Sequence, residues 1–467
     1  MKILLIKAAC TRNYGQTVVP MGLLYLSSTL KKAGHTEIKI IHLDLDNPTE
    51  GSLARQIADY KPDITGISAI TAEAVSMHRA AALARSVCPG TLIVTGGAHP
   101  TGYTEDCLLD PSIDAAVRNE GELTFLELVE AAGRGNSFAG IAGLSYKKDG
   151  NIVHNPPREY IADLDSLPMP DWKMVDLGRY SGYVPQSPFL HDHKYANMVT
   201  SRGCPFNCTF CHNIMGKKFR AHSPERVIDE MRYLKETLGI KNIEISDDAF
   251  NIDPDRAKAI MRGIIDSALE LRLFLSNGVG ANALDEELIG LMHRAGVRYL
   301  CVAVETASPR LQRAIKKNVD LEKTRKISSL LVESGIFVNG LFIFGLPGET
   351  LKELWLTIKY LWSLPIHACM ISFCIGYEGT ELARELPKEK LVSPENDTVS
   401  FHSARPERVC SDIPVWQLVF ARQSANFIFY FLNPARIYRI FRDMPYREPA
   451  ILWLLFSKLI TRTIFPK

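Results

Sequence analysis

The chain has 467 residues, 46% of them hydrophobic and 23% charged, and its 54 Lys+Arg against 52 Asp+Glu leave a formal net charge of +2. That apolar fraction excludes a disordered chain, and the length allows more than one buried core. Near-neutrality argues against nucleic acid as an obligate partner, because a protein that tracks phosphates carries a marked basic excess.

The opening MKILLIKAAC reads as a β-strand and not as a secretion signal, since no small-residue cleavage site follows a long apolar core; this predicts the reducing cytoplasm. Up to about residue 135, strand-like runs at 2–7, 38–43, 64–68, 92–95 and 115–117 alternate with helix-period segments. The pattern is that of βαβ units, and five such strands fit an α/β, flavodoxin-like doubly wound parallel sheet over 1–135, with ligands at the carboxyl ends of the strands. Segments expected at that end are the one holding Pro20 and Gly22, the turn from Asp44, Ser68 to Thr71, and Gly96-Gly97-Ala98-His99.

Between 136 and 195, Pro156, Pro157, Pro168, Pro170, Pro185 and Pro188 break any long element, so the segment reads as a connector with a hairpin at 143–153 turning on Asp149-Gly150. A second alternating series follows, with strands expected at 197–200, 242–246, 272–276, 299–303, 337–343 and 368–373. Two of its helices open with Ser223-Pro224 and Asp253-Pro254, an N-cap residue followed by proline at the first helical position. Six repeats suit a partial (βα)6 barrel over 196–394, whose chemistry belongs at the C-terminal ends of its strands. The remainder, 395–467, reads as a helical tail in which Phe427, Phe429, Tyr430, Phe431, Tyr438 and Phe441 are interleaved with Arg436, Arg439, Arg442 and Arg447. Such a tail either caps the barrel with its aromatics inward or touches a lipid surface. Its run AILWLLF at 450–456 is too short to span a membrane.

The sharpest signal is SRGCPFNCTFCHN at 201–213, which places Cys204, Cys208 and Cys211 at the spacing C-x3-C-x2-C in the loop after the first strand of the second series. Thiolates are the ligands of iron-sulfur clusters, and three of them leave one iron of a cubane open to a substrate or cofactor. The alternatives are a zinc knuckle completed by His212, or cysteines that merely pack. Cys10, Cys88, Cys107, Cys301, Cys369, Cys374 and Cys410 show no such clustering and read as packing residues.

This loop, at the end of the first strand of a six-fold βα series, resembles the radical S-adenosylmethionine (SAM) enzymes. The resemblance implies that Cys204, Cys208 and Cys211 hold a 4Fe-4S cluster whose fourth iron chelates SAM, with Phe210 beside the adenine. It extends to EISDDAF at 244–250, where Asp247 and Asp248 would meet the methionine amino group, to VAVE at 302–305, where Glu305 would contact the cofactor, and to GLPGET at 345–350, which begins with Gly345. The bland reading of either aspartate is a turn or helix cap. Residues 278–283, GVGANA, formally match a dinucleotide fingerprint, but the acid expected about twenty residues on is missing. Ser276 and Asn277, next to it, are instead expected to line the SAM site.

The first domain resembles the cobalamin-binding domain fused to many radical SAM enzymes, through VPMGLLYLSSTLKKAGH at 19–35, PDITGISAITAEA at 62–74, VTGGAHPT at 94–101 and RNEGELTFLEL at 118–128. By that resemblance Gly96 and Gly97 allow close approach of backbone to the corrin, and Ser68 and Thr71 lie near it. Pro20, Gly22, Asp44, His99 and Glu120 complete the expected set. The D-x-H-x-x-G motif that supplies an axial histidine is absent, since Asp44 is followed by Leu45-Asp46-Asn47; this fits a histidine-off cobalamin, with His42 and His99 structural.

Together the resemblances imply a cobalamin-dependent radical SAM methyltransferase. A 5'-deoxyadenosyl radical would activate an unactivated carbon, or a phosphinate, of a small or lipid-like molecule, methylcobalamin would supply the methyl group, and an external donor such as flavodoxin or ferredoxin would supply electrons. The rival readings are a cobalamin-dependent cyclase without methyl transfer, and a non-enzymatic iron-sulfur or corrin-binding regulator.

Overall fold

The computed structural model describes residues 1–10, 17–183, 186–191, 193–212, 214–391 and 408–447; Pro185, Asn213, the start of the tail and the 450–456 run lie outside them. The chain separates into two compact units, one built on Met1–Tyr180 and the other chiefly on Ser181–Asn213 and Lys217–Val392.

In the first unit, β1 (Ile3–Lys7), β2 (Ile38–His42), β3 (Ile64–Ser68), β4 (Leu92–Gly96) and β5 (Ala115–Val117) pair in parallel in the order β2-β1-β3-β4-β5. This is the flavodoxin-like order, and its switch point lies between β1 and β3. Alternate residues of each strand serve opposite faces. Leu4, Ile6, Ile67 and Ile93 pack with Ile57, Met77 and Leu108 on one side, while Ile3, Leu5, Ile64 and Val94 pack with Leu23, Phe125 and Leu128 on the other. Burial on both sides is why β1 reads as an unbroken apolar run, Ile3 to Ile6.

The hairpin expected inside the connector is in fact part of this sheet. β6 (Leu144–Lys148) pairs antiparallel with β5, and β7 (Asn151–His154) pairs antiparallel with β6. Its turn residues Asp149 and Gly150 have φ of 51° and 79°, the left-handed pair that suits a two-residue hairpin, and Leu144 and Tyr146 are buried on the core side. The proline-rich stretch that follows makes only short 3₁₀ turns, yet it too is packed. Leu164 and Leu167 close over Tyr25, the Ser27 hydroxyl donates to Asp171 at 2.7 Å, and Trp172 is 1% exposed. Proline removed the helices here without removing the core.

In the second unit, β8 (Tyr195–Met198), the ribbon of β9 (Ser201–Arg202) and β10 (Arg220–Ala221), β11 (Asn242–Ile245), β12 (Arg272–Val279), β13 (Val297–Glu305), β14 (Phe337–Phe344) and β15 (Ala368–Phe373) follow one another. β8, β11, β12, β13, β14 and β15 form a six-stranded parallel sheet in strict chain order, with helices as the crossovers. The expected caps are present: Ser223 and Asp253 accept hydrogen bonds from the backbone N–H groups of Arg226 and Arg256, each ahead of a proline.

Two helices, Val415–Phe431 and Pro434–Asp443, make up the described part of the tail. Arg436 fastens them. Its guanidinium is buried over the Phe429 ring and donates to the carbonyls of Trp362, Leu364, Ile366 and Phe429. Phe429 points inward and the Tyr430 hydroxyl accepts from the Cys369 N–H, whereas Trp416, Phe420, Phe427, Phe431, Tyr438 and Phe441 are exposed. The aromatics therefore divide between two faces. Among the described residues no helix is long and apolar enough to cross a membrane.

Candidate functional site

The cysteine loop grows from a root fixed by two charged residues. Asp247, just past β11 and 2% exposed, accepts hydrogen bonds from the Thr200 N–H at 2.6 Å and from the hydroxyls of Thr200 and Ser201. Arg256, in the first turn of the next helix, donates to the carbonyls of Thr200 at 2.7 Å and His222 at 2.8 Å. Both peptide groups of Thr200 are thus held, and the β9–β10 ribbon pairs the two ends of the loop, Arg202 with Arg220. Burial pushes the Asp247 carboxyl above its ordinary range, against the pull of those hydrogen bonds and of Arg256. The sequence reading placed Asp247 at the methionine amino group; in the structure it is committed to the root of the loop.

Cys204, Cys208 and Cys211 face one another closely enough for their charges to interact. Burial raises the Cys208 thiol, with Glu305 and Cys204 adding to it against the pull of Lys317, and burial followed by the Cys208 charge pushes Cys211 up to about 11. A bound cation would reverse that cost, since a coordinating thiol is deprotonated outright. Asp248, exposed at the end of β11, is among the charges felt by Cys211. The loop is clamped from behind: the Thr209 N–H donates to the Ile315 carbonyl, the Thr209 carbonyl accepts from Leu382, and Phe210 packs against Leu311, Ile315, Leu346 and Leu382.

Glu305 closes β13 where its pairing with β14 slips by a residue, and it has φ of +66°. A left-handed glutamate costs about 1–2 kcal/mol of backbone energy, a feature that concentrates at functional sites. Its Oε1 accepts from Lys317 Nζ at 3.0 Å, and both charges act on Cys208, Lys317 lowering and Glu305 raising its thiol. Burial pulls the Lys317 ammonium down, but the charges of Glu305 and the thiolates outweigh it and hold the group above its ordinary range. Sequence reasoning missed Lys317, because nothing in Lys316-Lys317 separates it from a surface pair; Lys316 does point outward, to Glu381.

Deeper in the sheet, the fully buried Glu244 accepts from Ser187 N at 2.7 Å, Asn197 Nδ2 at 2.9 Å and Ser276 Oγ at 2.6 Å. The Ser276 hydroxyl is thereby turned into the sheet, while Asn277 is exposed and donates to the Ser246 carbonyl at 2.7 Å. Gly345, with φ of +80°, donates its N–H to Glu349 Oε2 at 2.6 Å; a Cβ there would lie 3.1 Å from Leu418 Cδ1. Burial raises the Glu349 carboxyl to about 7. GVGANA lies at the end of β12 and the 3₁₀ turn after it, where Asn251 bonds both ways with the Gly280 backbone, so it opens no dinucleotide-binding helix. A cavity of about 370 Å³ near Ile264, Arg272, Arg294 and Arg298 lies at the opposite, N-terminal ends of β12 and β13, and its lining holds no histidine or cysteine.

In the first unit the expected residues gather at the carboxyl ends of β1, β3 and β4. Ser68 closes β3 and its carbonyl accepts from Ala8 N–H at 3.0 Å; Thr71 opens a short turn ending at Glu73, which is ion-paired with Lys7. Asp44 is buried, receives the Cys10 N–H on its carboxylate, and is raised to about 6 by that burial. Gly97 has φ of +99°, and a Cβ on it would lie 2.9 Å from the Ala69 carbonyl, so only glycine lets the loops after β3 and β4 touch; at Gly96 the same atom meets nothing closer than 3.7 Å. Pro20 is buried at the start of the first helix, and Gly22 is exposed with open space where its Cβ would be. Glu120 is buried and accepts the Ile161 N–H at 2.8 Å. His42 is buried, its Nε2 near Thr17 Oγ1 and the Val18 carbonyl, and His99 is 1% exposed; burial pulls both imidazoles down to about 4.

The family model described as "Radical SAM superfamily" matches residues 198–361, and that described as "B12 binding domain" matches 8–129. The chain is 35% identical to an uncharacterized methyltransferase of Pyrococcus horikoshii over 82% of each chain. It is 28% identical to the cytidylyl-2-hydroxyethylphosphonate methyltransferase of Streptomyces wedmorensis over 84% of this chain and 83% of that protein. An anaerobic magnesium-protoporphyrin IX monomethyl ester cyclase of Rubrivivax gelatinosus is 29% identical over 73% of this chain and 61% of its own length. In fold, the chain is similar to the radical SAM methyltransferase TsrM of Kitasatospora setae, with a TM-score of 0.66 at 22% identity, over 80% of this chain and 72% of that one.

Proposed function

The chain belongs to the radical SAM superfamily and carries a B12-binding domain, and from that premise we propose that it transfers a methyl group to an unactivated carbon or a phosphinate of a small molecule. The observation that carries the reading is the pairing, in one chain, of a three-cysteine loop at the carboxyl end of a six-stranded barrel sheet with a flavodoxin-order sheet whose strand ends are kept close by Gly97.

The donor set fits the cofactors. Three thiols in one loop are what a cubane with an open iron requires, and the switch point between β1 and β3 is where a doubly wound sheet takes its ligand. Bound together, these groups supply a hydrogen-abstracting radical and a transferable methyl group. Cys204, Cys208 and Cys211 would ligate the cluster; Asp247 and Arg256 hold the root of their loop, and Lys317 sets a positive charge against the negative cluster. Phe210, Asp248, Asn277, Glu305 and Gly345 are the proposed SAM contacts, with Ser276 acting through Glu244. Ser68, Thr71, Gly96, Gly97, Asp44, Pro20 and Gly22 are the proposed corrin-facing set, with Glu120 and His99 supporting it. In this scheme 1–135 hold the corrin, 196–394 hold the cluster and SAM, and an external flavodoxin or ferredoxin in the cytoplasm feeds the electrons.

Product analysis tests the reading. Anaerobically reconstituted protein, given reductant, methyl-labelled SAM and fractionated small-molecule extract, should form both 5'-deoxyadenosine and S-adenosylhomocysteine, with label in a third compound. Deoxyadenosine with substrate turnover but no S-adenosylhomocysteine would replace methyl transfer by the cyclase reading that the 29% identical relative favours. No SAM cleavage under any condition would leave a regulator.

A further inference from the structure

We propose that the first unit holds a second metal, a zinc-class divalent cation bound by His78, His99 and Cys107. His78 stands on the helix Ala74–Val87, His99 on the short helix Ala98–Gly102 and Cys107 on Thr104–Leu109. One ring nitrogen of each histidine and the Cys107 Sγ lie within 4.8 Å of one another. In a tetrahedral site with Zn–N of about 2.0–2.1 Å and Zn–S of about 2.3 Å, neighbouring ligand atoms are about 3.3–3.7 Å apart, so about 1 Å of side-chain closure completes the site. Two imidazoles and a thiolate are a borderline-soft set, which suits zinc and not magnesium or calcium.

Three further observations point to a ligand. The His78 Nδ1 bonds Asp110 Oδ2 at 2.6 Å, and Asp110 is itself oriented by the Ser112 N–H at 2.8 Å. A carboxylate behind a histidine is the usual support of a metal-bound imidazole, because it fixes the tautomer and presents the other nitrogen to the ion. His99 is 1% exposed, yet its Nδ1 has no hydrogen-bond partner, and stacking on Tyr103 at 4.9 Å holds the plane of its ring. A buried ring nitrogen left unmatched is costly, and a cation would recover that cost. Cys107 is fully buried beside both, so the site is closed on that side, while the partly exposed His78 leaves an approach for the ion and a fourth ligand.

The cation would lock the backbone from Gly97 to Cys107, which begins at the carboxyl end of β4. It would also make His99 a zinc ligand and so keep it off the cobalt. That second consequence rests on the corrin reading; the site itself does not.

The test uses cobalt(II) as probe, on the full chain with Cys204, Cys208 and Cys211 all changed to Ala so that the loop cannot compete. One equivalent should bind, with the visible bands of a tetrahedral site and a thiolate-to-cobalt charge-transfer band, both lost on adding zinc. Cys107→Ser should abolish the charge-transfer band, and Asp110→Asn, which spares all three ligands, should weaken binding about 10–100-fold. Should the triple variant fail to fold, elemental analysis of the cluster-loaded protein replaces it: one zinc per chain beyond the iron, lost in Cys107→Ser. Absence of bound cobalt or zinc, or binding unchanged in both Cys107→Ser and His99→Ala, overturns the proposal. A site that survives cobalamin removal separates it from the fate of the corrin reading.

Discussion

Replacing Asp247 by alanine separates an anchor of the loop from a SAM ligand. The carboxylate satisfies three donors, Thr200 N, Thr200 Oγ1 and Ser201 Oγ, in a site that is 2% exposed. Each buried donor left unmatched costs about 1–3 kcal/mol, and water entering the space left by the side chain recovers part, so the net loss is about 3–6 kcal/mol. Arg256 also loses its counter-charge. At about 2–4 °C per kcal/mol for a unit of this size, the melting midpoint should fall by about 6–24 °C. Tryptophan emission is a suitable probe, because Trp172 is the only one of the five tryptophans before residue 181. Iron retained after anaerobic reconstitution should fall in parallel, as the loop loses its root. Asp247→Asn, which keeps the shape and one acceptor, should lie between. A variant that melts with the wild type but no longer binds SAM would refute this reasoning and return Asp247 to the cofactor.

Three other perturbations probe separate parts. Glu349 is raised from 4.5 to about 7 in the folded chain, so the native state binds more protons than the unfolded chain in that window and stability falls as pH rises through it, by at most about 3 kcal/mol. Glu349→Gln keeps an acceptor for the Gly345 N–H without the charge, and should flatten urea midpoints between pH 5 and pH 8; an unchanged slope would place the pH dependence elsewhere. Gly97→Ala forces a Cβ to 2.9 Å from the Ala69 carbonyl at φ of +99°, which should destabilise the first unit by about 2 kcal/mol or more and reduce corrin retained on gel filtration, while leaving iron content intact. Cys208→Ala should remove the cluster absorbance and spare the corrin spectrum, and a variant that keeps its cluster would show that the ligands lie elsewhere.

Most of the architecture was legible because it rests on short-range pattern. Apolar runs such as 64–68 are buried on both faces, and the caps at Ser223 and Asp253 announce themselves next to proline. The hairpin was legible as a hairpin but not as an extension of the sheet, since edge pairing with β5 is a choice between partners that local sequence does not record. The cysteine spacing located the site for a similar reason: its three ligands are local. The acids were harder. EISDDAF offers three carboxylates within five residues, and only the fold shows that Glu244 and Asp247 turn to internal donors while Asp248 faces out. Lys317 was invisible because its partner, Glu305, comes from a strand end twelve residues away across a helix.

The strict chain order of the barrel strands has a consequence during synthesis. Each new strand pairs with the one just made, so the sheet can assemble as the chain leaves the ribosome. The cysteine loop is on the first strand, and about 160 residues separate Cys211 from the end of β15. At about 5–20 residues per second, the three thiols wait about 8–30 s before the last strand arrives. Over that interval they are open to oxygen and to stray metal ions, which makes the supply of iron and sulfide at the moment of translation a determinant of how much active protein a cell obtains.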